Sequence, residues 1–225
     1  MKKIAWITAN IGGIDTPRDE APQLVDGYEV KRIYVTEYDA AVTGYNAPNP
    51  RMAAKWYKCQ GYKLPEVMDC EIICWTDANI ELKPGALQFW VNRLNAGNAE
   101  ILVQEHHHRK TMREEADFIY AQRETDRYLA ARYAGYDFEA EMKFWKNTLR
   151  EDAQLLCSNV FIYVRTNETI KALSGWWNCI LRFGHYDQFS LSAILYKDLY
   201  SQNLYDGHEY YNNPYFTHHN HRVIM

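Results

Sequence analysis

Short apolar runs alternate with longer amphipathic segments along the whole chain, and this alternation restricts the fold more than any other feature of the sequence. The apolar runs predict strands over residues 4–8, 29–36, 71–76, 100–104 and 157–164. The segments between them predict helices over residues 51–61, 84–94, 167–183 and 187–200, with two more between 110 and 150 that break near Gly135. Strands that alternate with helices in this way indicate an α/β fold with a mostly parallel central sheet.

Composition bounds the size and class of the protein. The chain has 225 residues, 47% of them hydrophobic, and we expect residues 1–225 to form one domain with a real core. Residues 201–225 are rich in Tyr, Asn and His, and predict a loop-rich tail that closes the site. A net charge of −4 argues against general nucleic-acid binding. Five cysteines without a C-x-x-C pair, and apolar runs shorter than a membrane span, predict a reduced, cytoplasmic protein.

The sharpest local motif is Trp75-Thr76-Asp77-Ala78-Asn79, in which a strand ends in an acid that is followed two residues later by an amide. In a turn, these two side chains can converge on one cation. Oxygen ligands of this kind suit Mg²⁺ or Mn²⁺, which can then bridge phosphate oxygens. The alternative is structural, because an Asp at a strand end often forms an Asx turn. The motif is too short to decide between these roles by itself.

Four segments that follow one another along the chain carry a resemblance to a known family. They are Thr8–Asp15 (TANIGGID), Trp75–Ile80 (WTDANI), residues 106–116 with His106, Arg109, Glu114 and Glu115, and residues 176–190 with Trp176-Trp177 and Asp187-Gln188. Together they resemble a glycosyltransferase-like family that includes plant mucilage-related proteins and a plant protein reported as an alkaline ceramidase. His107 and Tyr186 stand where that family has Pro and Arg.

The order of motifs also resembles retaining nucleotide-sugar transferases of the glycogenin type, which implies a GT-A-like fold. The matching positions are Leu64-Pro65-Glu66, Asp77 with Asn79, Ser158-Asn159-Val160, Asp187-Gln188, and the late histidines 218, 219 and 221. Asn79 replaces the second Asp of that pattern, which removes one negative charge from the implied metal site. Val160 stands where the pattern has Gly.

The resemblance implies a role for each matched position. A nucleotide-sugar donor, most simply a UDP-sugar, would be bound by Thr8, Ala9, Asn10, Gly12, Asp15, Lys55, Lys58, Asp77, Ala78, Asn79, His106 and Asn159. Mn²⁺ or Mg²⁺ would be held by Asp77 and Asn79 with a late histidine, His219 or His221, or alternatively His218. Asp187 and Gln188 would stabilise positive charge at the anomeric carbon.

Each of these roles has a plainer alternative. Lys55 and Lys58 also fit a solvated helix face, and Asp187 also fits a helix N-cap. The late histidines also fit a flexible tail, and the consecutive histidines 106–108 raise the alternative of a zinc site.

Three functions therefore remain open at the level of sequence. The first is a metal-dependent glycosyltransferase, expected to be retaining, with an unknown acceptor. The second is an amide-lipid hydrolase of the ceramidase kind, although the sequence has no G-x-S-x-G motif. The third is a non-catalytic module that binds a nucleotide or a carbohydrate.

Overall fold

A computed structural model describes residues 1–18, 20–42, 49–97, 99–133, 136–146, 154–198, 201–203 and 213–220. The strands are β1 Lys2–Ala9, β2 Tyr28–Val35, β3 Ile72–Thr76, β4 Ile80–Leu82, β5 Ile101–Glu105, β6 Leu156–Val164, β7 Ser201–Asn203 and β8 Phe216–His218. The helices are α1 Glu37–Val42, α2 Pro50–Gln60, α3 Ala86–Ala96, α4 Met112–Thr125, α5 Arg127–Arg132, α6 Phe138–Trp145, α7 Asn167–Phe183 and α8 Gln188–Asp198.

Six strands form one sheet in the order β2-β1-β3-β6-β5-β7. Strand β6 runs antiparallel to both of its neighbours, whereas the β1–β2, β1–β3 and β5–β7 pairs are parallel. Five of the six strands therefore run in one direction, and the prediction of an α/β fold with a mostly parallel sheet is confirmed. A second sheet of two short antiparallel strands pairs β4 with β8.

The central strands are apolar because both of their faces are covered. Ile7 and Trp75 pack on the face that carries α2, α7 and α8, while Trp6 and Cys74 pack on the opposite face, against α3 and Phe216 of β8. Successive side chains of a strand point to opposite faces, so each central strand feeds two cores. Packing on both faces therefore holds β1 and β3 in place, and the residues at their ends can contact a ligand.

The predicted element boundaries are close to the observed ones for long or fully buried segments. The helix predicted over 167–183 is α7, where Thr166 and Thr169 form a reciprocal capping box. Two helices were predicted between residues 110 and 150, whereas the described residues of that region form three. The tail from residue 201, predicted to be rich in loops, contains the short strands β7 and β8 among its described residues. The Gly, Asn and Pro content of residues 44–50 also predicts a loop, and that segment lies mostly outside the described residues.

The five cysteines are free thiols, and four of them are buried. Within the described part of the chain, no helix has the length and apolar character needed to cross a membrane.

Candidate active site

A cavity of about 230 Å³ opens where β1 and β3 end and β6 begins. In open α/β sheets, ligands bind at the carboxyl ends of the parallel strands, and this cavity occupies that position. Ten sequence-predicted site residues line it: Ala9, Asn10, Asp15, Lys55, Lys58, Asp77, Ala78, Asn159, Asp187 and Gln188. Thr8, Gly12, Asn79, His106 and His219 are not among the lining residues. His221 lies outside the described residues.

Lys58 is the centre of the charged floor of the cavity. Its ammonium nitrogen lies 3.0 Å from Asp77 Oδ1 and 3.0 Å from Asp187 Oδ2, and it donates to Ser158 Oγ at 3.1 Å. The side chain is only 1% exposed. Lys55, one helical turn earlier, also pairs with Asp187 Oδ2. The alternative of a solvated lysine face is therefore wrong for Lys58, and helix α2 directs both ammonium groups into the site.

Burial and charge pairing oppose each other in this cluster. Burial lowers the pKa of Lys58, but the carboxylates of Asp187 and Asp77 raise it and leave it above its ordinary value. Burial raises the pKa of Asp187, but Lys55 and Lys58 outweigh that effect and hold it well below its usual range. For Lys55, burial dominates over the attraction of Asp187, so its pKa is lowered. The Lys58–Asp187 pair is consequently ionised at neutral pH.

Asp77 is presented to the cavity by the end of β3. Its backbone N–H donates to the Asn159 carbonyl oxygen at 2.8 Å, and its own carbonyl accepts from the Ile80 N–H at 2.9 Å. The carboxylate atom Oδ1 accepts from the Trp75 indole N–H at 2.7 Å and also faces Lys58. The Asp77 side chain is 34% exposed, against 8% for Asp187. Asp77 is therefore the more accessible of the two acids.

The glycine turn after β1 is built around Asn10 and Gly12. Asn10 Nδ2 donates to the Asp15 carbonyl at 2.9 Å, and Asn10 Oδ1 accepts from the Asp15 N–H at 3.2 Å. Gly12 has a φ of +87°, and a Cβ there would meet Pro50 Cβ at 2.9 Å. The close approach that this glycine permits is thus to the start of α2. The turn and α2 together form one wall of the cavity.

Thr8 lies behind this wall rather than on the cavity surface. It is 1% exposed, its hydroxyl lies 2.6 Å from that of Thr76, and it accepts from Arg32 Nη2 at 3.0 Å. These contacts tie the ends of β1 and β3 together. Thr8 therefore supports the cavity wall through hydrogen bonds within the sheet.

Asn79 turns away from the charged cluster and into the small β4–β8 sheet. Its Nδ2 lies 3.1 Å from His218 Nε2 and donates to the His219 carbonyl oxygen at 3.1 Å. The His219 ring nitrogen Nε2 lies 2.8 Å from Glu81 Oε2. The structure therefore brings Asn79 together with His218 and His219, two of the three histidines predicted as metal candidates.

These contacts do not fit a divalent ion on Asp77 as the residues stand. Asp77 Oδ1 already faces an ammonium group and an indole N–H, and the Asn79 amide N–H₂ is the end directed at His218. Across the described ranges, no trio of His, Cys or acidic ligand atoms that includes Asp77 converges within 4.8 Å. The metal-ligand set of Asp77, Asn79, His219 and His221 stays a prediction.

The His106 side chain accepts hydrogen bonds from the backbone of its own loop. Its Nδ1 accepts from the N–H groups of Arg109 at 3.0 Å and His108 at 3.3 Å. Burial, followed by the charge of Arg109, lowers the pKa of His106 to about 3. The ring is therefore neutral at neutral pH, and its Nε2 lies 3.3 Å from Arg109 Nη2. Ligand atoms of His106, His107 and Cys157 converge to within 4.8 Å of one another, so the alternative of a zinc site at this loop stays a prediction.

Asp187 and Gln188 enter the cavity at the start of α8. The Asp187 carboxylate accepts from Ser158 Oγ at 2.9 Å in addition to the two lysines, and its carbonyl accepts from the Trp176 indole at 2.8 Å. The carboxylate therefore points into the charged cluster and does not cap the helix. Gln188 lies 2.6 Å from the Tyr186 hydroxyl, which also donates to Glu115.

Several cavity residues were not singled out from the sequence. They are Arg51, Tyr133 and His185, while Ser158 and Tyr186 belong to the matched motifs but were given no role in the site. Arg51 could have been found, since it precedes Lys55 by four residues and therefore shares its helix face. Tyr133 and His185, whose rings are stacked with centroids 6.2 Å apart, come from segments 52 residues distant in sequence and had no local signal.

Comparison with known proteins gives distant structural likenesses. No protein-family profile matches the chain, and no curated protein matches it. The solved structure of mouse xyloside xylosyltransferase 1 in its apo form aligns with a TM-score of 0.47 and 10% identity, covering 89% of this chain and 84% of that one. The galactosyltransferase LgtC, solved with donor and acceptor sugar analogues, aligns with a TM-score of 0.43 and 10% identity, covering 88% and 73%. The resemblance to the plant family stays a prediction.

Proposed function

We propose that this protein is a glycosyltransferase of GT-A-like fold that moves a sugar from a nucleoside-diphosphate sugar, a UDP-sugar in the simplest case, to an acceptor hydroxyl. The observation that carries the proposal is the buried pairing of Asp187 with two lysines at the carboxyl ends of the strands. A carboxylate held ionised in a partly dry cavity suits a reaction that develops positive charge on carbon.

In the proposed reaction, the anomeric carbon of the donor lies beside Asp187 and Gln188. The bond from this carbon to the diphosphate oxygen breaks, and a bond to the acceptor oxygen forms. The acceptor proton leaves with the diphosphate. The Asp187 carboxylate and the Gln188 side-chain oxygen stabilise the oxocarbenium character of the sugar, while Lys55 and Lys58 keep the carboxylate ionised. We propose retention of the anomeric configuration, on the resemblance of the Asp187-Gln188 helix start.

The cavity volume limits which part of the donor it encloses. At about 230 Å³ it is smaller than the roughly 300–1,000 Å³ typical of pockets for drug-sized ligands. We place the sugar and the neighbouring phosphate inside, with the nucleoside toward the open side along Asn10 and Asp15. Dependence on Mn²⁺ or Mg²⁺ stays a prediction, and no step is assigned to a metal.

The two alternatives lack a comparable observation. An amide-lipid hydrolase needs a nucleophile or an activated water beside an apolar entrance, and Ser158 in this cavity has no histidine partner among its described contacts. A non-catalytic binding module would retain ligand affinity without turnover. Of the three functions, glycosyl transfer is the one in which the buried Asp187 cluster has a role.

A thermal-shift panel of nucleoside-diphosphate sugars, each with Mn²⁺ and with EDTA, tests the proposal, because a ligand that binds only the native state raises its melting temperature. We expect a shift with at least one nucleotide sugar and with its free nucleoside diphosphate. The binding partner then serves as donor in a transfer assay, and NMR reads the anomeric configuration of the product. No stabilisation by any nucleotide sugar would refute the proposal, and an inverted product would refute retention.

A further inference from the structure

Arg51 is a cavity-lining cation whose guanidinium has no hydrogen-bond or ion-pair partner among the described residues. It lies at the start of α2, in the same helical stripe as Lys55 and Lys58, and all three line the cavity. Lys58 is bonded to both acids, and Lys55 is bonded to Asp187. The hydrogen bond that Arg51 does form uses its backbone N–H, which donates to Asn49 Oδ1 at 2.9 Å. The positive charge of Arg51 is therefore available to a ligand.

The stripe runs from the protein interior toward solvent. The Lys58 side chain is 1% exposed, that of Lys55 is 20% exposed, and Arg51 is half-buried. Arg51 lies about 6 Å further along the helix axis than Lys55, at about 1.5 Å of rise per residue. A group bonded directly to a sugar held beside Asp187, on the outward side, therefore lies next to Arg51.

From this arrangement we infer that Arg51 binds the diphosphate of the ligand and so favours nucleoside diphosphates over nucleoside monophosphates in this cavity. This inference rests on the proposed function for the position of the sugar. The guanidinium is a planar fork that can donate to two phosphate oxygens at once, whereas a lysine ammonium acts as a point charge. Lys55 and Lys58 are already bonded to carboxylates. Arg51, which lies further out, is therefore the cation that binds the phosphate oxygens.

Isothermal titration of UDP and of inorganic pyrophosphate tests this inference. The proteins are the native chain, Arg51→Gln, Arg51→Lys and a matched control, Arg113→Gln, whose guanidinium pairs with Glu139 on the surface. Each titration is carried out with EDTA and with Mn²⁺, and affinities are compared in the buffer in which the native chain binds more tightly. We expect Arg51→Gln to weaken UDP binding roughly 10- to 100-fold, the size of a lost charged hydrogen bond. Arg51→Lys should fall between, and Arg113→Gln should match the native chain.

The outcomes separate the inference from the proposed function. If the native chain and Arg51→Gln, both folded by circular dichroism, bind UDP equally, the inference is overturned while the nucleotide site stands. If pyrophosphate binding depends on Arg51 but neither UDP nor any other nucleoside diphosphate binds, Arg51 is an anion-binding residue as inferred, and the proposed donor is overturned. If neither UDP nor pyrophosphate binds the native chain, the inference is overturned together with a UDP-sugar donor, and the proposed function is overturned as well if no other nucleoside diphosphate binds.

Discussion

Asp77 and Asn79 are two residues apart in the chain, yet their side chains lie in two different regions with different bonding partners. Asp77 faces the charged cavity, where Lys58 meets it at 3.0 Å. Asn79 is 3% exposed and is bonded to the β4–β8 sheet and the residue after it through His218 and the His219 carbonyl. The comparison shows that proximity in a motif does not make two side chains partners. Here Asp77 is paired with Lys58 of α2 and bonded to Trp75 of its own strand, whereas Asn79 contacts His218 of β8 and the His219 carbonyl that follows it.

The largest difference between the two regions should appear when Asp187 is removed. Asp187→Ala leaves the buried Lys58 with Asp77 as its remaining carboxylate, and we expect a loss of about 3–5 kcal/mol in the free energy of unfolding, measured in urea. Asp77→Ala should cost less, because its side chain is more exposed. A double variant, Lys58→Met with Asp187→Leu, should recover much of the loss. If Asp187→Ala and the native chain have equal free energies of unfolding, the charged cluster does not stabilise the fold and does not distinguish the two regions.

The glycine turn gives a smaller effect and a matched pair. Gly12→Ala adds a Cβ 2.9 Å from Pro50 at a φ of +87°, so we expect a cost of roughly 1–3 kcal/mol. Gly13→Ala also has a positive φ, +60°, but a Cβ there meets nothing within 4 Å. Its cost should be lower, about 1 kcal/mol. Chemical denaturation of both variants measures the difference, and equal costs would show that contact with Pro50 adds nothing.

The charged cavity should also respond to acid in a defined direction. The folded-state pKa of Asp187 is depressed, so its stabilisation is present above the unfolded value of about 3.9 and is lost as pH falls through the folded value. The stability gap between the native chain and Asp187→Asn should therefore be constant from pH 5 to 8 and narrow below about pH 4. Urea titrations at several pH values measure it. A gap that widens in acid would contradict the ionised state of Asp187.

The smallest effect is expected on the Asn79 side. Asn79→Ala removes hydrogen bonds to His218 and the His219 carbonyl, which we expect to cost about 1 kcal/mol. UDP affinity in EDTA should be unchanged, because Asn79 does not line the cavity. Asp77→Ala should raise it, because the change removes a negative charge that opposes the diphosphate and competes for Lys58. Calorimetry on both variants makes the comparison. A change in UDP affinity in Asn79→Ala as large as in Asp77→Ala would join the two regions into one ligand site.

The sequence predicted those parts of the fold that local composition controls. Strands β1, β3 and β6 are buried on both faces and read as apolar runs, and α7 has a clear start at its capping box. Strands β4 and β8 have three residues each, too few to show a period, and they pair across more than 130 residues of chain. Such short strands form because they pair with a distant segment, so no local sequence pattern predicts them.

The candidate site shows the same division. Residues that directly follow strand ends, such as Asn10 and Asp77, lie on the cavity, and sequence could point to them because the end of a strand is a local property. The direction of the Asn79 side chain depends on His218, 139 residues later, and was not readable from the motif. The role of Asp187 as a buried counter-ion rather than a helix cap likewise depends on lysines from α2, more than 125 residues earlier.

Trp75 gives this cavity an optical reporter. Its indole N–H donates to Asp77 at 2.7 Å, the Lys58 ammonium lies 5.8 Å from the ring centroid, and the residue lines the cavity. Indole emission responds to nearby charge and to local water. An anion that enters beside Asp77 and Lys58 changes both, so the intrinsic fluorescence of the protein should follow occupancy of the site without any added label. Replacing Trp75 with Phe should silence that response while the other six tryptophans keep their emission.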